Sequence, residues 1–186
     1  MRILAISGSL RAGSYNSGLA GAANDLAPEG VEVELYRGLE QIPPYHQDLD
    51  QEGIEMPEAV RELRRQIEDA DALFFATPEY NGSIPGVLKN AIDWASARHR
   101  GSSFRNKTAA IAGASTGAFG AIWALQDLRR VLGIAGARVT DGEVAVPRAQ
   151  NSFDDEGHLQ DPLVAERLRE HLASLVREAV SMPVAA

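Results

Sequence analysis

Cysteine is absent from the 186-residue chain, which excludes disulfides, thiol nucleophiles and thiolate metal ligands together. Lysine is nearly absent: Lys89 and Lys107 are the two lysines, and 18 basic residues against 26 acidic ones leave a formal charge of −8. That balance argues against unaided binding to nucleic acid or to an anionic membrane surface. No apolar run reaches membrane-spanning length, and the chain opens directly on a strand-like run rather than on a basic segment and an apolar core. The expected address is therefore the cytoplasm, with no membrane partner. Paired metal-ligand spacing is missing among His46, His99, His158 and His171, so no metal site is expected. No Pro/Gly/Ser-rich linker interrupts the chain, and residues 1–186 read as one domain.

What is present alternates. Short β-like runs at Arg2–Ser7, Val31–Tyr36, Ala72–Thr77, Thr108–Gly113 and Ala137–Val146 are separated by helical patterns. The clearest helices are Pro57–Ala70, with Val60, Leu63 and Ile67 on one face, and Pro162–Ala179, with Leu168, Leu172, Leu175 and Ala179 on one face. This order predicts an α/β protein with a parallel sheet covered on both sides. Two irregular stretches, Arg37–Met56 and Pro147–Asp161, exceed most connections in compact domains. They read either as lids or subunit contacts or as surface excursions.

Three strand-end loops carry the chemistry. The first, "GSLRAGSYNSGLA" from Gly8, lies between strand and helix, where unpaired amides favour an anion. A dinucleotide fingerprint is disfavoured because Leu10 occupies the second glycine position, and a triphosphate loop because Ser14 stands where a lysine is needed. What remains is a donor set from Ser9, Arg11, Ser14, Asn16 and nearby amides, enough for one terminal phosphate. The alternative is a capped helix start in which Ser14 or Asn16 satisfies orphan amides. The second loop, "PEYNGSIPGVLKNAIDW" from Pro78, has turn residues at Asn81-Gly82, while Ser83 and Pro85 resemble an N-cap and first turn. Tyr80 suits packing against a planar ring, and backbone groups of Glu79 to Gly82 its polar edge. An ordinary strand-to-helix turn is the other reading.

The third loop, "AGASTGAFG", precedes a helix containing Ile122, Leu125, Leu128 and Leu132. Gly113-Ala-Ser115-Thr-Gly117 also fits a G-x-S-x-G nucleophile elbow, with Asp141 and His158 following in hydrolase order. Against a hydrolase, no H-G-G-G-type segment precedes it and the first two loops would have no task. In a sheet ordered 2-1-3-4-5, all three loops line one crevice at the switch point. A terminal phosphate plus a ring slot matches flavin mononucleotide (FMN) better than a nucleoside triphosphate.

These motifs resemble the NADPH-dependent FMN reductase family of the flavodoxin-like superfamily, particularly its chromate/quinone reductase branch. "GSLRAGSYN" resembles its phosphate loop, "PEYNGSIPGVLKNAIDW" its flavin-ring segment, "ASTGAFG" its third flavin loop, and "FDDEGHLQD" a late family segment. The resemblance implies a flavodoxin-like three-layer sandwich with a five-stranded parallel sheet, order 2-1-3-4-5. It implies that Ser9, Arg11, Ser14 and Asn16 bind the FMN phosphate, that Pro78, Glu79, Tyr80, Asn81 and Gly82 line the ring, and that Ser115, Thr116 and Gly117 lie on its other polar side. Some relatives carry an aromatic residue where Gly82 stands.

The family's activity implies NADPH or NADH as hydride donor and a quinone, flavin, azo compound or metal oxyanion as acceptor, in a homodimer or homotetramer. No general acid or base is named, because hydride transfer belongs to the cofactor. Trp123, about 100° round its helix from Ile122, reads as an interface anchor or as a core contact. A flavodoxin-type electron carrier is the alternative function.

Overall fold

The computed structural model describes residues 1–97 and 100–181. Its sheet is parallel, in the order β2-β1-β3-β4-β5, with a further strand, β6, also paired to β4. The strands are β1 (Arg2–Ser7), β2 (Glu32–Leu35), β3 (Ala72–Thr77), β4 (Thr108–Ala114), β5 (Arg138–Val139) and β6 (Val144–Val146). The helices are α1 (Tyr15–Leu26), α2 (Glu58–Asp69), α3 (Gly86–Ala95), α4 (Ile122–Ala135) and α5 (Pro162–Val180). This is the flavodoxin-like three-layer arrangement.

The central strands β3 and β4 are buried along their whole length, as continuous apolar runs in a parallel sheet require. One face of the sheet packs Leu4, Ile6, Leu73, Phe75 and Ile111 against Val60, Leu63, Leu88, Trp94, Leu125 and Leu128 of α2, α3 and α4. The other packs Ile3, Ala5, Phe74, Ala110 and Ala112 against Leu19, Ala23, Leu168, Leu172 and Leu175 of α1 and α5. Alternation along each strand thus feeds two cores, and each helix presents its apolar stripe to one of them.

The expected fifth strand, Ala137–Val146, is two strands. Thr108 faces Arg138 at the start of β4, whereas Ala112 faces Val144 near its end, so the outer run carries two more residues over the same length. The surplus bends outward at Asp141-Gly142, where Gly142 has φ +76°, a conformation that costs glycine little. Arg129 of α4 closes the bend by donating to Thr140 O at 2.7 Å, Gly142 O at 2.6 Å and Glu143 Oε2 at 3.0 Å.

The stretch Arg37–Met56 is docked on α3. Asn90 Oδ1 accepts from the Tyr45 amide at 2.7 Å, Asn90 Nδ2 donates to Pro43 O at 2.9 Å, and the buried Trp94 donates its indole N–H to the same carbonyl at 2.8 Å. Tyr45 and Trp94 also meet edge-on, with centroids 4.9 Å apart.

Candidate functional site

Because β1, β3 and β4 are adjacent and parallel, their carboxyl ends lie along one edge of the sheet, and the three loops that follow share one crevice. The first is folded by its own hydroxyls. Ser7 Oγ accepts from the Ser9 amide and lies 3.0 Å from Ser17 Oγ, and Ser9 Oγ accepts from the Arg11 amide. Ser14 is the N-cap of α1, accepting from the Asn16 amide at 3.2 Å. The buried Asn16 carboxamide is paired on both sides with Ala114, donating to its carbonyl at 3.0 Å and accepting from its amide at 2.8 Å. Asn16 therefore ties the first loop to the third. Ser14 has the capping geometry of the helix-cap alternative, with its oxygen as acceptor, and the Asn16 side chain is engaged with Ala114. Arg11 is exposed; its guanidinium donates to Ala12 O and lies 5.5 Å from the Tyr15 ring centroid. Among the described residues, the amides of Ala12 and Gly13 meet no protein acceptor.

The second loop makes a tight turn in which the Tyr80 amide donates to Ser83 O at 2.9 Å and the Ser83 amide returns to Tyr80 O at 3.2 Å. Asn81 and Gly82, at φ 53° and 75°, supply the left-handed pair that such a turn demands. The amides of Glu79, Asn81 and Gly82 have no protein acceptor among the described residues. Helix α3 begins at Gly86, two residues later than an N-cap at Ser83 implies, and Pro85 precedes it without a side-chain cap. The Ser83 hydroxyl goes instead to Asp127 of α4, and this hydrogen bond, with the Arg130 guanidinium, holds the Asp127 carboxyl below the usual range. The Glu79 carboxylate crosses to α4 as well, accepting from the Trp123 and Ala124 amides at 3.0 and 3.2 Å.

The third loop is laced to the segment after β6. Ser115 donates its amide to Val146 O and accepts from the Ala149 amide, while Gly117 O accepts from the Arg148 amide. Ser115 Oγ accepts from the Gly117 amide at 3.1 Å. Gly120 is required here: at φ +60° a Cβ would lie 2.8 Å from Pro147 N. Phe119 and Trp123 are 63 % and 47 % exposed and pack edge-on at 5.0 Å, so the core-contact reading of Trp123 does not hold. The Pro147–Asp161 stretch folds back over α1: Phe153 lies 5.1 Å from the Tyr15 ring, and a Cβ at Gly18 would meet Gly157 O at 2.1 Å. Arg148 is exposed and at φ 47° beside the third loop, and nothing in the local sequence marks a left-handed arginine.

The hydrolase constellation does not assemble. His158 pairs through Nδ1 with Asp154 at 3.2 Å, not with Asp141. Ser115 is not among the positive-φ residues, whereas a nucleophile elbow is a strained turn. Asp154, Glu156 and His158 bring ligand atoms within 4.8 Å of one another, a grouping the sequence spacing did not reveal. Asp154 already accepts from the His158 amide and Gln160 Nε2, and the first of these is the main reason its carboxyl is held low. His99 lies outside the described residues. A concavity of about 670 Å³ between α3 and α4, lined by Lys89, Ser96, Arg105 and Ile134 among others, shares no residue with the connections from β1 to α1, from β3 to α3 and from β4 to α4.

The crevice with its three loops falls inside residues 1–151, and over that span the chain matches the family described as NADPH-dependent FMN reductase. The chain belongs to that family. It is 46 % identical over 176 residues to an NAD(P)H-dependent FMN reductase of Pseudomonas aeruginosa, covering 94 % of this chain and 93 % of that one. It is 36 % identical to a 2-hydroxy-1,4-benzoquinone reductase of a Burkholderia species, over 95 % of this chain and 92 % of the other. Among solved structures it is similar to FerB, a flavoenzyme NAD(P)H:(acceptor) oxidoreductase of Paracoccus denitrificans. The TM-score is 0.84 at 32 % identity, over 96 % of this chain and 97 % of that one. As an FMN reductase family member it is an oxidoreductase with FMN as cofactor and a reduced nicotinamide as co-substrate.

Proposed function

We propose that the protein transfers hydride from NADPH or NADH to FMN held across the three loops and passes the electrons to a quinone, in a ping-pong cycle. The observation that carries this reading is the set of donors the crevice leaves free. The exposed Arg11 guanidinium and the Ala12 and Gly13 amides cluster at the N-terminus of α1, and the Glu79, Asn81 and Gly82 amides sit at the second loop. FMN fits that set: a dianion beside a cation and a helix N-terminus, and a ring with polar edges beside unpaired amides.

In this reading Ser9, Arg11 and the α1 amides take the phosphate. Ser14 contributes by capping α1 and Asn16 by fixing the loop to Ala114. The Pro78–Gly82 backbone with the half-exposed Tyr80 faces the ring, and Ser115, Thr116 and Gly117 take its other polar side. FMN, when bound, supplies the two-electron chemistry. The chain's own part is binding and orientation: amides of the second loop placed where negative charge develops favour hydride acceptance. Free flavins, azo compounds and metal oxyanions such as chromate are further acceptors open to the same site.

Support for a quinone comes from the exposed aromatic surfaces of Tyr80, Phe119 and Trp123 around the crevice and from the quinone reductases among the relatives. The same Phe119–Trp123 pair is the surface we assign to self-association as a homodimer or homotetramer, and sedimentation velocity reports the state. We place its action in the cytoplasm; separately, no helix among the described residues is long and apolar enough to cross a membrane.

Anaerobic titration of FMN-loaded protein tests the reading. One equivalent of NADPH or NADH should bleach the flavin absorbance, and a quinone should restore it. Failure of both nicotinamides to react with fully loaded protein would leave a flavodoxin-type carrier as the better account.

A further inference from the structure

Helix α4 starts without a cap of its own. Its N-cap position is Ala121, a left-handed residue at φ 64° whose methyl accepts no hydrogen bond. The donors at that end, the amides of Trp123 and Ala124, are instead satisfied by Glu79, 44 and 45 positions away in sequence. A carboxylate at a helix N-terminus is favoured by both hydrogen bonding and the helix dipole.

The same turn has a second tether to the same helix. Glu79 and Ser83 flank Tyr80-Asn81-Gly82, and Ser83 donates to Asp127 one helical turn further along α4. The free amides of Asn81 and Gly82 therefore hang between two fixed points on one rigid element. Because the Glu79 carboxylate is already engaged with α4, it is turned to the helix and not to a ligand, while its own amide remains free. Asn81 and Gly82 adopt the left-handed pair readily, so what the two tethers define is the placement of the turn against α4 rather than its shape.

We propose that Glu79 is a positioning residue for the flavin reaction: by capping α4 it holds the second loop's free amides at the ring side of the crevice. The proposal rests on the FMN reading above, and its consequences separate from it. Removing the cap should disturb ring contacts and leave the phosphate contacts at α1 alone. FMN and riboflavin should therefore lose affinity by the same factor, unlike the effect of a phosphate-loop substitution.

The test compares Glu79→Ala with Glu79→Gln, whose amide oxygen still accepts from α4. In flavin-free protein, the Trp123 and Ala124 amides should exchange with solvent faster in Glu79→Ala and remain protected in Glu79→Gln. Calorimetry should show FMN and riboflavin each weakened by about fivefold to tenfold in Glu79→Ala, the scale of a lost helix cap, and restored to within about threefold of wild type in Glu79→Gln. Should Glu79→Ala fail to fold, Glu79→Asp, one methylene too short to reach α4, takes its place. Unchanged affinities with unchanged exchange would overturn the proposal. So would a loss in Glu79→Gln equal to that in Glu79→Ala while the α4 amides stay protected, because the carboxylate would then act on the ligand directly. Wild-type protein that fails to bind FMN at all would instead refute the FMN reading, and the exchange measurement would still decide whether Glu79 caps α4.

Discussion

Arg11 is the one cation of the first loop, and its geometry sets what its loss should do. The guanidinium is exposed, with a single hydrogen bond to the neighbouring Ala12 carbonyl and the face of Tyr15 at 5.5 Å; no carboxylate competes for it among the ion pairs of the described residues. A charge-assisted contact to a phosphate is worth about 1.5–3 kcal/mol. Arg11→Ala should therefore weaken FMN by that amount in calorimetry and leave riboflavin almost untouched. Equal losses for both ligands would assign Arg11 to loop structure. Ser14 and Asn16, in the same motif, also have protein partners: Ser14 Oγ accepts from the Asn16 amide, and the Asn16 carboxamide pairs with Ala114.

At the scale of elements, the crevice is three loops locked to one another and to two helices. Asn16 joins the start of α1 to the end of β4, and both backbone groups of Ala114 that it serves are buried. Replacing it with alanine leaves a buried donor and a buried acceptor unpaired, at a cost of about 1–3 kcal/mol each. Asn16→Ala should lower stability by about 2 kcal/mol or more in urea denaturation. Asn16→Asp should not rescue it, since a carboxylate cannot donate to the Ala114 carbonyl. A variant as stable as wild type would mean that solvent reaches Ala114. The same logic explains why the Pro147–Asp161 stretch is long: it must cross from β6 past the third loop, where it gives and takes hydrogen bonds with Ser115 and Gly117, and then cover Gly18 on α1. Neither long stretch is a free excursion; each is docked on an element of the flavodoxin-like core.

For the whole molecule, His171 links the fold to pH. It sits on α5, buried, with Nε2 lacking a hydrogen-bond partner among the described residues. Burial pushes its imidazole below the ordinary range, helped by Arg129, against the opposing pull of a backbone contact with Ile111 and of Glu143 and Glu178. The folded state therefore stays neutral to lower pH than the unfolded chain, whose histidine titrates near about 6.5. Acidification protonates the unfolded state first and favours it. The stability contributed is present above that value and is lost as pH falls toward the folded-state pKa. Thermal or urea midpoints should thus decline below about pH 6.5, more steeply in wild type than in His171→Phe. Parallel pH profiles for the two proteins would remove His171 from the account.

The sequence by itself determined the order of elements, the parallel sheet and the three loops, because each rests on local chemistry: apolar periodicity, turn pairs such as Asn81-Gly82, and a strand that ends where a helix begins. β1 and β3 lie where the pattern puts them, to the residue. The family motifs pointed to the FMN reductases, and the matched span bears that out. What the tertiary structure decided is register and partnership. The outer strand divides because its two halves pair with opposite ends of β4 around a surplus of residues, a mismatch that exists only once β4 is beside it. Ser14, Asn16, Glu79 and Ser83 read in sequence as polar loop residues ready for a ligand or a cap. Their partners lie at Asn16, Ala114, Trp123 and Asp127 respectively, and for Asn16 the separation is 98 positions. A side-chain oxygen or amide has the same local signature whether or not a distant group lies opposite it, so only the packed fold shows which protein groups these side chains meet.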